Sequence, residues 1–155
     1  MSEDVVAPER EELAPVRAAL VVERERERTF EVFVGRLGAW WPTRGHSLDE
    51  DRVVDIRMDR FVGGQVVEVW DDDSEHRWGT VLDWRPPEGF TLAWQVHSGG
   101  RSTEVTVRFR ETGPASTVVE VEHRGWASLG DDAAEVREGY RTGWPLVLAA
   151  FRDAG

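Results

Sequence analysis

Cysteine is missing from this 155-residue sequence, which excludes disulfides, thiolate metal sites and thiol nucleophiles together. Lysine is missing too, since all 19 basic residues are arginine. That removes Schiff-base chemistry and reads as the codon preference of a GC-rich genome. A chain without cysteine points to a reducing, cytoplasmic compartment. No signal peptide is visible, because the N-terminus, MSEDVVAPEREEL, is acidic and lacks an apolar stretch. The longest apolar run, near Leu146 to Phe151, is far too short to span a bilayer. Positive charge is in the minority, 19 residues against 30 acidic ones for a net −11. Such a surface repels phosphate backbones and anionic lipid, so neither nucleic acid nor membrane is an expected partner.

What is present suits one domain with a full core, since a chain of this size buries roughly 70% of the surface it would expose unfolded. Residues 1–15 are acidic, carry prolines and show no periodicity; they read as a mobile tail ahead of a domain spanning residues 16–152. Arg17 to Glu23 reads as a strand, and the ERERER run that follows as a solvated face. Phe30, Phe33, Val34, Leu37 and Trp41 then mark one face of an amphipathic helix that Pro42 ends.

Six further strands follow, at residues 53–58, 65–70, 77–84, 90–96, 103–109 and 117–126, with short Gly, Pro and Asp turns between them. Short links predict an antiparallel meander with one wet face and one covered face. Val136, Tyr140, Trp144, Val147, Leu148 and Phe151 form a helical stripe that supplies the cover. Asp132 and Glu135 fit a capping box at its start, and Gly143 with Pro145 should weaken or kink its middle. The expected class is α+β, with a curved antiparallel sheet wrapped around a long C-terminal helix and a gap between them where a ligand could sit.

Local motifs add to that plan. Trp40-Trp41-Pro42 with His46-Ser47, the Gly63-Gly64 turn, Trp78-Gly79-Thr80-Val81-Leu82 running to Pro86-Pro87 and Leu92-Ala93-Trp94 occur in order along the chain. Thr103-Glu104-Val105 with Phe109, Val119 to His123, Gly139-Tyr140 and Gly143-Trp144 complete the set. The ordered set resembles the START-like (SRPBCC) superfamily, in a bacterial branch named for activators of the heat-shock protein 90 ATPase, over residues 16–152. The resemblance implies the helix-grip, birch-pollen-allergen-like fold and an apolar or aromatic small molecule as ligand. The co-chaperone that names the family has a separate N-terminal domain that contacts heat-shock protein 90. Only a short acidic tail precedes the first strand here, so chaperone activation is not the expected role.

The chemistry is sparse. The four histidines, His46, His76, His97 and His123, show no metal-ligand spacing, and neither a metal nor another cofactor is expected. GRLGAW closes a helix instead of following a strand, so it is not a nucleotide loop. His76 and His97 fall in turns and read as solvated. His123 shares strand parity with Val119 and Val121 and so faces the helix, either as a core histidine satisfied by one hydrogen bond or as a donor or base for a ligand. Glu68, Glu104, Glu120 and Glu122 are expected on the wet face. Trp84 and Trp94 each share a face with apolar neighbours, Leu82 in one case and Leu92 with Val96 in the other.

The residues expected to wall the cavity are Phe33, Trp40, Trp41, His46, Trp94, His123, Tyr140 and Trp144. Eight tryptophans suit a cavity that stays apolar yet offers a few donors. No catalytic residue is assigned. A non-catalytic binder leads, with a cyclase- or hydrolase-like enzyme using His123 or His46, and a chaperone-type or toxin–antitoxin-like interaction module, as alternatives.

Overall fold

The computed structural model describes residues 13–96 and 100–154. Apolar residues at alternate positions build strands β1 (Val16–Val22), β2 (Val53–Met58), β3 (Gln65–Trp70), β4 (Glu75–Arg85), β5 (Gly89–Trp94), β6 (Thr103–Gly113) and β7 (Ser116–Arg124). They form one antiparallel sheet of seven strands in the order β1-β7-β6-β5-β4-β3-β2. Consecutive strands from β2 to β7 pair antiparallel, and β1 closes on β7 through Val16 to His123 and Val22 to Thr117. On β6, Val105, Val107 and Phe109 are buried, while Glu104 and Arg108 face outward. Arg110 to Glu120 at 2.7 Å and Arg124 to Glu104 at 2.8 Å tie neighbouring strands on that outer face. Being exposed, such pairs contribute little each.

The first helix divides in two. Helix α1 (Arg26–Gly35) breaks at Arg36, whose φ of −123° and ψ of 32° are not helical, and α2 (Leu37–Trp40) follows. The charged run at residues 23–28 is thus partly the first turn of α1, whose Phe30, Phe33 and Val34 turn inward. The last strand stops at Arg124 because Gly125 takes a left-handed φ of 89°, and Trp126–Asp132 turns as a 3-10 segment. Helix α3 (Ala133–Asp153) then runs as one helix with Pro145 inside it. No capping box forms either, because Asp132 makes no side-chain cap and lies 3.7 Å from Arg101 instead.

The architecture is the α+β helix grip, with α3 seated in a curled sheet. Its deep core is solid. Phe33 meets Phe109 at 5.4 Å and Phe151 at 5.0 Å between ring centroids, both edge-on, and Trp40 meets Phe151 at 5.0 Å. Edge-on contacts of this kind add to the area the rings bury. The void left among Phe33, Trp78, Phe90 and Val107 is only about 20 Å³.

Four side chains depart from what the sequence predicts. Leu82 is 44% exposed, because a register shift between Val81 and Asp83 makes it the extra residue of a bulge. Trp84 therefore does not share its face, and packs on Phe30 at 5.4 Å. His76 lies on β4, half-buried, stacked 3.6 Å from Trp70 and bonded to Ser74 at 2.8 Å. Glu68 is fully buried, since β3 is covered by the segment at residues 41–52. Of the acidic stretch at residues 1–15, residues 1–12 lie outside the described residues, as does His97. Ala14 is held to α3 by Arg137, whose Nε donates to its carbonyl at 2.6 Å.

Candidate functional site: a tryptophan-walled cavity beside the long helix

A cavity of about 300 Å³ opens between α3, the end of β5 and the loop that follows α2. That is at the lower end of the range that small-molecule sites occupy. Its walls are Trp41, Trp94, Tyr140 and Trp144, with Val96, Val136 and Val147 between them, and His46 and Gly143 belong to the lining.

Each wall has a local cause. Pro42 ends the helical turn and sends the chain outward. The loop then folds on itself, as Trp41 Nε1 donates to His46 O at 2.8 Å and Ser47 Oγ donates to Thr43 O at 2.7 Å. Helical spacing places Tyr140 and Trp144 one turn apart, with ring centroids 6.2 Å apart and 28° between planes. The loop comes close to α3 at Gly143, where a Cβ would meet His46 Cε1 at 3.4 Å.

Glu68 fastens this loop to the sheet. Its Oε1 accepts from Leu48 N at 2.8 Å and Trp78 Nε1 at 2.9 Å, and its Oε2 from Asp49 N at 3.0 Å and Trp70 Nε1 at 2.8 Å. The carboxylate is met by N–H donors, and no described residue forms an ion pair with it. Parity misassigned this residue: sharing a face with Val66, it lies on the covered side. The signal for it was chemical, a lone carboxylate set between apolar neighbours in QVVEVW.

The tryptophans do not offer donors to the cavity. Trp41 Nε1 is used by His46 O, Trp94 Nε1 donates to Tyr140 Oη at 2.8 Å, and Trp144 Nε1 donates to His123 Nδ1 at 3.0 Å. Tyr140 has a proton of its own with no acceptor among the described residues, and burial holds its pKa above the usual value against the opposing pull of the Trp94 N–H.

His123 is a core histidine. It is fully buried and is not among the residues lining the cavity. Because an indole N–H can only donate, Nδ1 is the acceptor, and Nε2 carries the proton that goes to Thr103 Oγ1 at 2.7 Å. Burial, with Arg124 nearby, lowers its pKa to about 3, so the ring is neutral. It takes two hydrogen bonds where one was expected, so both ring nitrogens are engaged within the protein.

Of the residues expected to wall the cavity, Trp41, His46, Trp94, Tyr140 and Trp144 come together around it. Phe33 and Trp40 do not: they belong to the solid aromatic core, where Trp40 Nε1 donates to Phe33 O at 3.1 Å. Val96, Val136, Gly143 and Val147 were not singled out. Among the described residues, no three of His, Asp and Glu converge where a metal ion could be held, and no helix is long and apolar enough to cross a membrane.

The chain belongs to the family of activator of Hsp90 ATPase homolog 1-like proteins, whose model matches residues 24–154. It is an AHSA-type member of the START-like fold, a ligand-binding fold. Among solved structures it is similar to an anthrahydroquino-γ-pyrone synthase, Txn09, solved in complex: identity is 30%, the match covers 92% of this chain and 97% of that one, and the TM-score is 0.61. It is also similar to CalC, a self-sacrificing resistance protein from Micromonospora echinospora, at 28% identity, with 91% and 93% of the two chains covered and a TM-score of 0.65. Protein MLL2253 from Mesorhizobium loti shares the fold at 15% identity, with 90% and 94% covered and a TM-score of 0.65. No curated protein matches the chain.

Proposed function

We propose that this protein binds an apolar or aromatic small molecule in the cavity walled by Trp41, Trp94, Tyr140 and Trp144. The observation that carries this reading is a contrast within one core. The deep interior leaves about 20 Å³, whereas the space beside α3 holds about 300 Å³ under aromatic walls whose indole donors are already used. That space opens at the surface beside a core that packs tightly elsewhere, so a ligand reaches it without the core being disrupted. The family and the complexed relative support a ligand in this fold. Native mass spectrometry and thermal-shift screens with lipids, polyketides and aromatic metabolites test it. Binding of an aromatic member that Gly143→Leu abolishes is the expected result. A panel that leaves the melting curve and the mass unchanged throughout overturns it.

A second reading is favoured by the likeness to a synthase at 30% identity over nearly the full chain. In it the cavity also promotes a ring closure of its ligand. His123 has no part in that reading, being neutral and outside the cavity. The groups left for proton transfer are the His46 imidazole and the Tyr140 hydroxyl. Incubation of a captured ligand with catalytic amounts of protein, followed by mass and chromatographic analysis, separates the two. An unchanged ligand leaves a binder only.

A further inference from the structure

The polar groups facing the cavity differ in kind, and the difference restricts the ligand. Trp41, Trp94 and Trp144 spend their N–H groups on His46 O, Tyr140 Oη and His123 Nδ1. Ser47 Oγ spends its proton on Thr43 O. His46 can donate from one ring nitrogen and accept at the other, so it does not discriminate. Tyr140 does, because its oxygen already receives the Trp94 N–H at 2.8 Å and its own proton is what remains to be given.

Resting on the binding role proposed above, we infer that Tyr140 is the specificity-determining donor of this cavity and that the ligand is a flat, largely apolar molecule carrying an acceptor oxygen, such as a ketone or quinone carbonyl. A ligand whose only polar group is a donor would place its hydrogen against the Tyr140 proton, and a pure hydrocarbon would strip that hydroxyl of water without replacing the bond. The raised pKa of Tyr140, caused by burial, keeps the proton in place at neutral pH. The Trp94 N–H also draws electron density from the phenolic oxygen, which makes its O–H a better donor.

The test uses one planar frame in three forms, namely fluorene, 9-fluorenone and carbazole, titrated into the full chain by calorimetry. Fluorenone is expected to bind roughly three- to tenfold more tightly than fluorene or carbazole, the range that one hydrogen bond supplies. Tyr140→Phe should bring fluorenone and fluorene to equal affinity, because it removes both the hydrogen bond that fluorenone gains and the hydroxyl that fluorene strips of water. The carbonyl stretching band of bound fluorenone should lie at lower frequency in the wild type than in the variant. If Tyr140→Phe fails to fold, an unshifted band in the wild type overturns the donor role, and a band shifted in the wild type but not in His46→Phe overturns the assignment to Tyr140.

Equal binding of fluorenone and fluorene, or of fluorenone and carbazole, overturns the donor role while the binding role stands. A fluorenone preference that survives in Tyr140→Phe overturns the assignment to Tyr140. Failure of all three to bind overturns this inference about the ligand, while the binding role stands or falls with the wider panel.

Discussion

Glu68→Gln alters one oxygen of a buried side chain, and the geometry makes that change costly. Each carboxylate oxygen accepts one backbone N–H from the loop and one indole N–H from the sheet: Leu48 N with Trp78 Nε1 on Oε1, Asp49 N with Trp70 Nε1 on Oε2. Whichever way the amide is turned, its NH2 group therefore faces one backbone donor and one indole donor. Two hydrogen bonds become donor–donor contacts, and the two that remain lose their charged acceptor. A bond to a charged group contributes about 1.5–3 kcal/mol, and a buried donor left unpaired costs about 1–3 kcal/mol. The loop N–H groups lie nearer the surface and regain water, which offsets part of the loss. The expected destabilisation is about 2–4 kcal/mol, out of the roughly 5–15 kcal/mol that hold a domain folded.

Urea unfolding followed by tryptophan fluorescence at neutral pH measures it, with Glu104→Gln as the exposed control at about 0.5 kcal/mol or less. Because the freed segment carries Trp41 and His46, affinity for a cavity ligand should also fall, more than it does in the control. A Glu68→Gln midpoint within about 0.5 kcal/mol of the wild type would refute the four-donor clamp.

Trp144→Ala should cost about 3–5 kcal/mol, as large buried aromatic deletions do, since the residue is 3% exposed and its loss also leaves His123 Nδ1 without a donor. Trp144→Phe, which keeps a ring in the wall but not the N–H, should cost less in denaturant; equal losses would show that the ring contributes nothing. His123, with its folded pKa lowered to about 3 from 6.5, binds its proton in the unfolded chain first. Its contribution is complete above pH 6.5 and is lost as pH falls toward 3, at about 1.4 kcal/mol per unit. The stability difference between wild type and His123→Asn should shrink between pH 6.5 and 5, and a flat difference there would contradict a neutral buried ring. Gly143→Ala should raise the melting temperature through a gain of about 0.5–1 kcal/mol in helix propensity, because its Cβ meets His46 at an ordinary 3.4 Å. A loss of stability would show that the loop does not yield.

Much of the fold lies in local pattern. Turn residues separate the strands, alternation on β6 assigns its faces, and the stripe from Val136 to Phe151 makes α3 amphipathic. These signals are local, so the sequence by itself determined the element order, the helix-grip class and most of the aromatic residues that meet around the cavity. Tertiary structure decided what depends on partners distant in the chain. The pairing of β1 with β7, the bulge that turns Leu82 outward and the break at Arg36 are announced by no local pattern. Glu68 shows the same limit from the chemical side. A carboxylate in a strand reads as solvent-facing until a loop about 20 positions away brings N–H donors to it. His123 and the tryptophans complete the pattern. Composition showed that donors were available, but only the packed structure determined that six of the eight indole N–H groups are spent inside the protein, because a buried donor takes whatever acceptor the fold places within about 3 Å.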